Sequence, residues 1–286
     1  MKNIEKFNND RTVFSMEVFP PKKDSKVESI VGKLDAIVTA KPDYISITYG
    51  AGGNLANTHT RDVAALIQNK YGINAMAHLT CLTSSREQIS AVLDDFKAHG
   101  IENILALRGD VNPDVSAKDD FRHACDLISA IKEKGDFGIA GACYPEGHTE
   151  APNLIDDIRN LKYKVDCGCD YLVSQLFFEN SSFLSFLEKA RIAGINCPIE
   201  AGIMPVTNKS QIERMVAMSG AALPSKFTKM MAKYDSNPEA LIDAGIAYAV
   251  DQIVDLIANG VVGIHLYVMN NPYLANKIKD SIVNLL

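Results

Sequence analysis

The sequence predicts an α/β protein, a single (β/α)8 TIM barrel with one extra helix before the eighth strand. Three observations carry this. Eight short apolar runs, many of them β-branched, alternate with segments of helical spacing along all 286 residues. Most strand starts lie roughly thirty residues apart, a sensible size for one βα unit. Alternation at this count favours a closed parallel barrel over an open doubly wound sheet. No linker or low-complexity stretch intervenes, so one domain over residues 1–286 is expected.

The elements follow in order. Val13–Phe19 is strand-like and stops at Pro20-Pro21. Lys26–Val38 has the apolar spacing of a helix. Tyr44–Tyr49 reads as a strand stopped by Gly50, Gly52 and Gly53, and Thr60–Tyr71 as a helix with Gly72 at its C-cap. Asn74–Cys81 is a strand, and Ser84-Ser85-Arg86-Glu87 opens a helix with a capping serine. Asn103–Leu107, Gly138–Tyr144, Tyr171–Phe178 and Pro198–Met204 are strands. The helices Phe121–Lys134, Asn153–Cys167, Ser182–Ala193 and Lys209–Ser219 follow them in turn. Ser225–Tyr234 is the extra helix, before Pro238–Asn259. Val262–Val268 is the eighth strand and Pro272–Leu285 the last helix.

Composition narrows the function. The chain is 47% hydrophobic and 22% charged, with net charge −6 and a pI near 5.5. An acidic chain without a basic run argues against nucleic acid and anionic membranes as partners. The polar start, Met1–Arg11, lacks the apolar core of a signal peptide. The six cysteines are scattered without a C-x-x-C pair, which fits reduced thiols in the cytoplasm. No H-x-H or H-E-x-x-H pair points to a metal centre, and none is expected.

Residues at the C-terminal ends of barrel strands face one mouth. Those positions hold Glu17, Thr48, Tyr49, His78, Arg108, Asp110, Tyr144, Glu146, His148, Gln175 and Tyr267. Glu17 lies between Met16 and Val18, beside Phe14, Phe19 and two prolines. Desolvation there is expected to raise its pKa and keep it neutral, as a proton donor. Asp110, beside Arg108 and the Gly109 backbone, is expected to stay ionised. His265 reads as a packed barrel histidine. The glycines Gly50, Gly52 and Gly53 fail as a dinucleotide fingerprint, because Leu55 stands at the third glycine position.

Several segments together are specific. Ser15–Pro21 (S-M-E-V-F-P-P), Ser46–Gly50 (S-I-T-Y-G), Ala77–Cys81 (A-H-L-T-C), Ala106–Asp110 (A-L-R-G-D), Tyr144–His148 (Y-P-E-G-H), Leu161–Gly168 (L-K-Y-K-V-D-C-G), Gln175–Phe178 (Q-L-F-F), Gly202–Asn208 (G-I-M-P-V-T-N) and Leu266–Asn270 (L-Y-V-M-N) run in order over nearly the whole chain. They resemble methylenetetrahydrofolate reductase in its bacterial form, a catalytic barrel alone.

The resemblance implies FAD bound at the mouth, with NADH or NADPH as co-substrate. It implies reduction of 5,10-methylenetetrahydrofolate to 5-methyltetrahydrofolate by alternating hydride transfers, in one-carbon metabolism and methionine synthesis. By this likeness Glu17 is the general acid, Asp110 the carboxylate near flavin and pterin, and Gln175 a contact of folate and nicotinamide in turn. Tyr267 joins these three in substrate binding. Thr48, Tyr49, Ala51, His78, Arg108, Gly109, Asp110, His123, Ala124, Tyr144, His148, Asp157, Asn160 and Lys164 match positions lining FAD, with Arg108, His148 and Lys164 as donors to its pyrophosphate.

Two departures stand out. Lys209 replaces an aromatic residue near the nicotinamide, and Asn271 an arginine that binds the glutamate tail of folate. The first admits an electron-donating partner protein. The apolar stripe of Pro238–Asn259 is expected to pack on the barrel, with a homo-oligomer interface as the minority reading. A barrel methyltransferase and a non-catalytic binding barrel are the rival functions.

Overall fold

The computed structural model describes residues 1–8, 10–22, 24–49, 58–111 and 117–286. Its first strand, β1 (Val13–Val18), sets the pattern for the rest. Phe14, Met16 and Val18 join the large core between sheet and helices. Val13, two residues from Ser15 and four from Glu17, packs instead with Tyr44, Met76, Leu105, Ala140 and Tyr171 inside the barrel. A strand's period of two therefore sends the polar residues inward and the bulky apolar ones outward.

Seven more strands follow: β2 (Tyr44–Ile47), β3 (Asn74–Thr80), β4 (Asn103–Leu107), β5 (Gly138–Cys143), β6 (Tyr171–Ser174), β7 (Ile199–Ile203) and β8 (Gly263–Tyr267). Each pairs in parallel with the next, and β8 returns to β1, so the barrel is closed. The predicted (β/α)8 class is observed. The helices are α1 (Glu28–Ile37), α2 (His59–Tyr71), α3 (Arg86–Ala98), α4 (Ala124–Lys134), α5 (Leu154–Asp166), α6 (Asn180–Ile192), α7 (Lys209–Ser219), α8 (Ser225–Tyr234), α9 (Pro238–Ala258) and α10 (Pro272–Ile282). The extra helix before β8 is α8, which packs on α9.

Local chemistry explains the boundaries. Ser85 caps α3 in a reciprocal box with Gln88. Gly72 ends α2 in the left-handed conformation at φ +65°. α4 starts at Ala124 rather than Phe121, because the Asp126 carboxylate accepts from the N–H groups of Arg122 and His123. The strands β2 and β6 stop at Ile47 and Ser174, short of the predicted Tyr49 and Phe178. Thr48, Tyr49 and Gln175 thus lie just past the strand ends at the mouth, the Thr48 and Gln175 N–H groups still bonded to the Val18 and Cys143 carbonyls.

Two features were not expected. A 3-10 helix over Asn3–Asn8 closes the lower end of the barrel. Its Asn3 is buried, accepting and donating among Asn103, Asn74 and Tyr171. At the other end, Met269 and Asn270 follow β8 with φ of 51° and 54°. The Asn270 amide accepts from the Phe19 N–H at 2.8 Å and donates to the Phe19 carbonyl at 2.9 Å. This clamp ties the end of β1 to the end of β8.

Asn270→Ala removes both bonds and leaves alanine in a left-handed turn. The expected cost is about 2–3 kcal/mol. Asn270→Gly should recover about 1 kcal/mol of it, the conformational share. Urea midpoints of the three proteins check the order.

Candidate active site

The mouth encloses a cavity of about 660 Å³. Glu17, Thr48, Tyr49, His78, Arg108, Gly109, Asp110, Tyr144, His148, Gln175 and Tyr267 all line it. Sequence position at strand ends thus locates ten of these together; Gly109 was expected from the resemblance alone, and Glu146, expected at the mouth, is not among the lining residues. Ala51 lies outside the described residues, as do Gly50, Gly52, Gly53 and Leu55. His123, Ala124, Asp157, Asn160 and Lys164 are not among the residues that line it. His123 is the N-cap of α4 and Ala124 its first residue. Asp157, Asn160 and Lys164 share one face of α5 by their spacing. The Asp157 carboxylate accepts from the His148 N–H at 3.2 Å, and burial raises its pKa. The Lys164 ammonium sits on the Ala142 carbonyl at 2.7 Å.

Glu17 requires a correction. The apolar neighbours that predict a neutral acid, Met16 and Val18, point to the opposite side of the strand. Inward, the Glu17 carboxylate meets Nε2 of His78 at 3.4 Å, Nε2 of His265 at 3.6 Å and the Ser46 hydroxyl at 3.5 Å. Burial pushes its pKa up, but the His265, His78 and Ser46 contacts together outweigh burial. The net shift is downward, so Glu17 rests as a carboxylate, 14% exposed to the cavity.

His78 responds in the opposite sense. Burial lowers its pKa to about 4, with Glu17 only partly offsetting it. It is therefore neutral at neutral pH. Its Nε2 is buried and makes no aligned hydrogen bond, although Glu17 is near. A buried polar atom left unpaired in a cavity wall marks a place for a ligand.

His265 is fully buried, as expected of a packed residue, and its ring is held by polar partners. Nδ1 lies 2.6 Å from the Ser15 hydroxyl and Nε2 3.4 Å from Ser46. Glu200 of β7, which the strand-end reading passed over, has Oε1 3.1 Å from the Ser15 hydroxyl and accepts from the Tyr44 phenol. A carboxylate amid Ile199, Ala201 and Ile203 was the signal that could have found it.

Arg108 finds its main partner elsewhere. Its partner is not Asp110: the guanidinium forks onto Glu150, at 2.6 and 2.7 Å. Its Nε donates to the Gly109 carbonyl at 3.1 Å. The Glu150 bonds lead in raising the Arg108 pKa. Gly109 has φ +88° and its Cα sits against Thr80, where a side chain would crowd. Asp110 follows, exposed at the rim. Gln175 folds back to accept from the Leu176 N–H at 2.9 Å. The Tyr267 hydroxyl donates to the Ser174 carbonyl at 2.7 Å, across Gly202. A Cβ on Gly202 would lie 2.2 Å from that carbonyl, so glycine is required there. Glu146 serves structure, accepting from the Ala222 N–H and the Ser182 hydroxyl.

Comparison with known proteins identifies the family. The family model for methylenetetrahydrofolate reductase matches residues 2–283. The chain belongs to the methylenetetrahydrofolate reductase family. A 5,10-methylenetetrahydrofolate reductase of Pectobacterium carotovorum is 37% identical over 92% of this chain and 88% of its own. The Escherichia coli enzyme is 34% identical over the same shares. An Arabidopsis thaliana methylenetetrahydrofolate reductase (NADH) is 37% identical over 94% of this chain but only 49% of its own length. Among solved structures, an uncharacterized Clostridium thermocellum protein, titled as binding two copies of 5-methyl-5,6,7,8-tetrahydrofolic acid, superposes with a TM-score of 0.65. It covers 96% of this chain at 14% identity, and so supports the fold.

Membership makes the chain an oxidoreductase of folate chemistry. It also gives the two departures a setting. Lys209 pairs with Asp235 at 3.1 Å beside a separate surface recess. From α7 it is Met215 that reaches the main cavity. Asn271 is the N-cap of α10, accepting from the Tyr273 and Leu274 N–H groups. Among the described residues no helix is long and apolar enough to cross a membrane.

The His78 shift has a sign that can be checked. Unfolded histidine titrates near 6.5, so the unfolded chain takes up this proton first. Above pH 6.5 His78 does not affect stability. Stability is lost as pH falls from about 6.5 to about 4, by on the order of 3 kcal/mol. Imidazole NMR should show His78 neutral at pH 5.5, and His78→Asn should flatten this part of the stability profile.

Proposed function

We propose that this chain reduces 5,10-methylenetetrahydrofolate to 5-methyltetrahydrofolate, using FAD as bound cofactor and NADH or NADPH as donor. One observation carries the reading: a buried carboxylate flanked by two imidazoles opens onto a cavity large enough for a cofactor-sized ligand. The residues present suit a flavin. Arg108 and His148 offer cationic and hydrogen-bonding groups to a pyrophosphate. The Tyr144 ring, Leu107 and Leu82 offer apolar surface, and the unpaired Nε2 of His78 awaits a polar partner. Thr48, Tyr49, Gly109 and Asp110 complete the wall, and Asp157, Asn160 and Lys164 share one face of α5, tied to the wall residue His148 through Asp157.

When bound, FAD supplies the hydride that it receives from the nicotinamide. Glu17 supplies the proton, to the folate nitrogen that leaves the one-carbon bridge. A folate entering the cavity expels water from the carboxylate and strengthens the burial that already pushes its pKa upward. Substrate binding thereby shifts Glu17 from resting carboxylate toward acid. Asp110 places negative charge at the rim, where a cationic one-carbon intermediate on folate gains from it. Gln175 and Tyr267 orient the substrate. Arg108 must release Glu150 to meet a phosphate, an exchange of one anion for another.

Electron donation by a partner protein has less support than nicotinamide. Lys209, the residue that motivates it, pairs with Asp235 outside the cavity, where it obstructs nothing. The site gives no sign of a cysteine-ligated metal for a methyltransferase: among the described residues no three His, Cys, Asp or Glu side chains cluster as ligands.

Anaerobic rapid mixing separates the two half-reactions. NADH or NADPH should bleach the flavin without any other protein, and methylenetetrahydrofolate should restore its colour. In Glu17→Gln the first step should stay within about threefold, while the second falls by about 10²-fold or more. Equal loss in both steps would reject Glu17 as the acid. A colourless protein that takes up no FAD would reject the function.

A further inference from the structure

Among the described residues Glu200 is the only carboxylate buried without any exposed surface. Neither half-reaction above uses it. A buried carboxylate is costly to keep, so its surroundings invite a physical reason. Oε1 lies 3.1 Å from the Ser15 hydroxyl. Ser15 Oγ lies 2.6 Å from Nδ1 of His265. On the far side of that ring, Nε2 lies 3.6 Å from the Glu17 carboxylate. Ser46 bridges this last gap, 3.4 Å from Nε2 and 3.5 Å from Glu17. Four strands, β7, β1, β8 and β2, thus contribute one line of proton-bearing groups from the barrel interior to the mouth.

We propose that Glu200 is the proton reserve of this site, and that its proton reaches Glu17 through Ser15 and His265. The proposal rests on the reading of Glu17 as the acid that protonates folate. Each group in the line can both give and take a proton. In the resting arrangement the Glu200 carboxyl donates to Ser15, Ser15 donates to Nδ1, and Nε2–H faces the Glu17 carboxylate. After transfer every proton has moved one place. Glu200 is then ionised, Nδ1–H donates to Ser15, Ser15 donates to Glu200, and a neutral Glu17 faces Nε2. One proton leaves Glu200, one arrives at Glu17, and the imidazole changes tautomer without a net change of charge. Glu17 then passes that proton to the folate nitrogen; between turnovers Glu17, at the mouth, takes a proton from solvent, and the line runs in reverse through His265 and Ser15 to recharge the buried Glu200.

The electrostatics run in the needed direction. Glu200 faces Ser15 from β1, the Tyr44 phenol from β2, Tyr171 from β6 and His265 from β8, with Asp43 near by at the start of β2. Burial raises its pKa to about 7, against the pull of His265, Tyr44 and Ser15. Glu17 faces His78, His265, Ser46 and Tyr267, and its pKa is lowered. Below about pH 7 the proton therefore rests at the inner end and its acceptor stands at the mouth.

The test uses two variants and two readouts. Glu200→Gln keeps a polar side chain but cannot give up a proton, and Ser15→Ala breaks the line while leaving Glu200 in place. First, 15N shifts of His265 in the protein without folate are followed from pH 5 to 9. In the parent the tautomer should change from Nε2–H to Nδ1–H near pH 7, as Glu200 ionises; in both variants that change should vanish. Second, the folate half-reaction is timed against pH. Both variants should lose tenfold or more at pH 7, and with it the limb centred near pH 7, while bleaching by nicotinamide stays within threefold. A His265 tautomer indifferent to pH in the parent, or unchanged in its response in either folded variant, would overturn the proposal. So would a folate step with the parental pH profile in both. A parent protein that bleaches but never reduces methylenetetrahydrofolate would instead overturn the function, and the His265 readout would still decide the proton line.

Discussion

The contact between Glu17 and His265 exists only because the barrel closes. Ser15 and His265 are register partners across the β1–β8 seam, and Glu17 pairs with Tyr267 one step above. That register places the imidazole diagonally beneath the carboxylate, within 3.6 Å. An open sheet with the same strands would leave β1 and β8 at opposite edges. Glu17 would then lack the partner that counters burial, and would be the neutral acid its sequence neighbours suggest. The charge of Glu17 is in this sense a property of topology.

Holding that seam in place takes several unrelated devices. The Asn270 amide clasps Phe19 and fixes the two strand ends above Glu17. Gly202 leaves room for Tyr267 to reach the Ser174 carbonyl, which bridges β6 to β8 across the top of β7. Asn3 and the 3-10 helix close the lower end, so that Glu200 and Tyr44 stay dry beneath His265. None of these residues needs to touch a substrate to matter. Together they keep a polar column aligned inside an otherwise apolar barrel.

Much of this was legible before any coordinates. Strand and helix alternation gave the barrel, because a parallel βα repeat has few ways to bury both faces of its sheet. Strand-end polar residues gave the cavity lining, because such ends converge on one mouth. Glu200 and His265 were harder to see, since the same rule looks only at strand ends, whereas both sit mid-strand. Inward direction could have been inferred from the alternation of Ser15 and Glu17, but their meeting with β7 and β8 depends on register, which no local pattern encodes. The Arg108–Glu150 pair escaped notice for a similar reason: its partners are separated by 42 positions and come together only when the β4 and β5 ends adjoin. Helix ends were legible where a cap was explicit, as at Ser85 and Gly72. α4 was less so, because Asp126 reaches back to bind backbone ahead of the helix.

The central claim is that the inward column, not the sequence neighbourhood, decides which of two buried carboxyls holds the proton. Infrared spectroscopy in the carbonyl region of protonated acids tests it directly, in the protein without folate near pH 6. The account predicts one buried protonated carboxyl band that persists in Glu17→Gln and disappears in Glu200→Gln. A band lost in Glu17→Gln and retained in Glu200→Gln would contradict it.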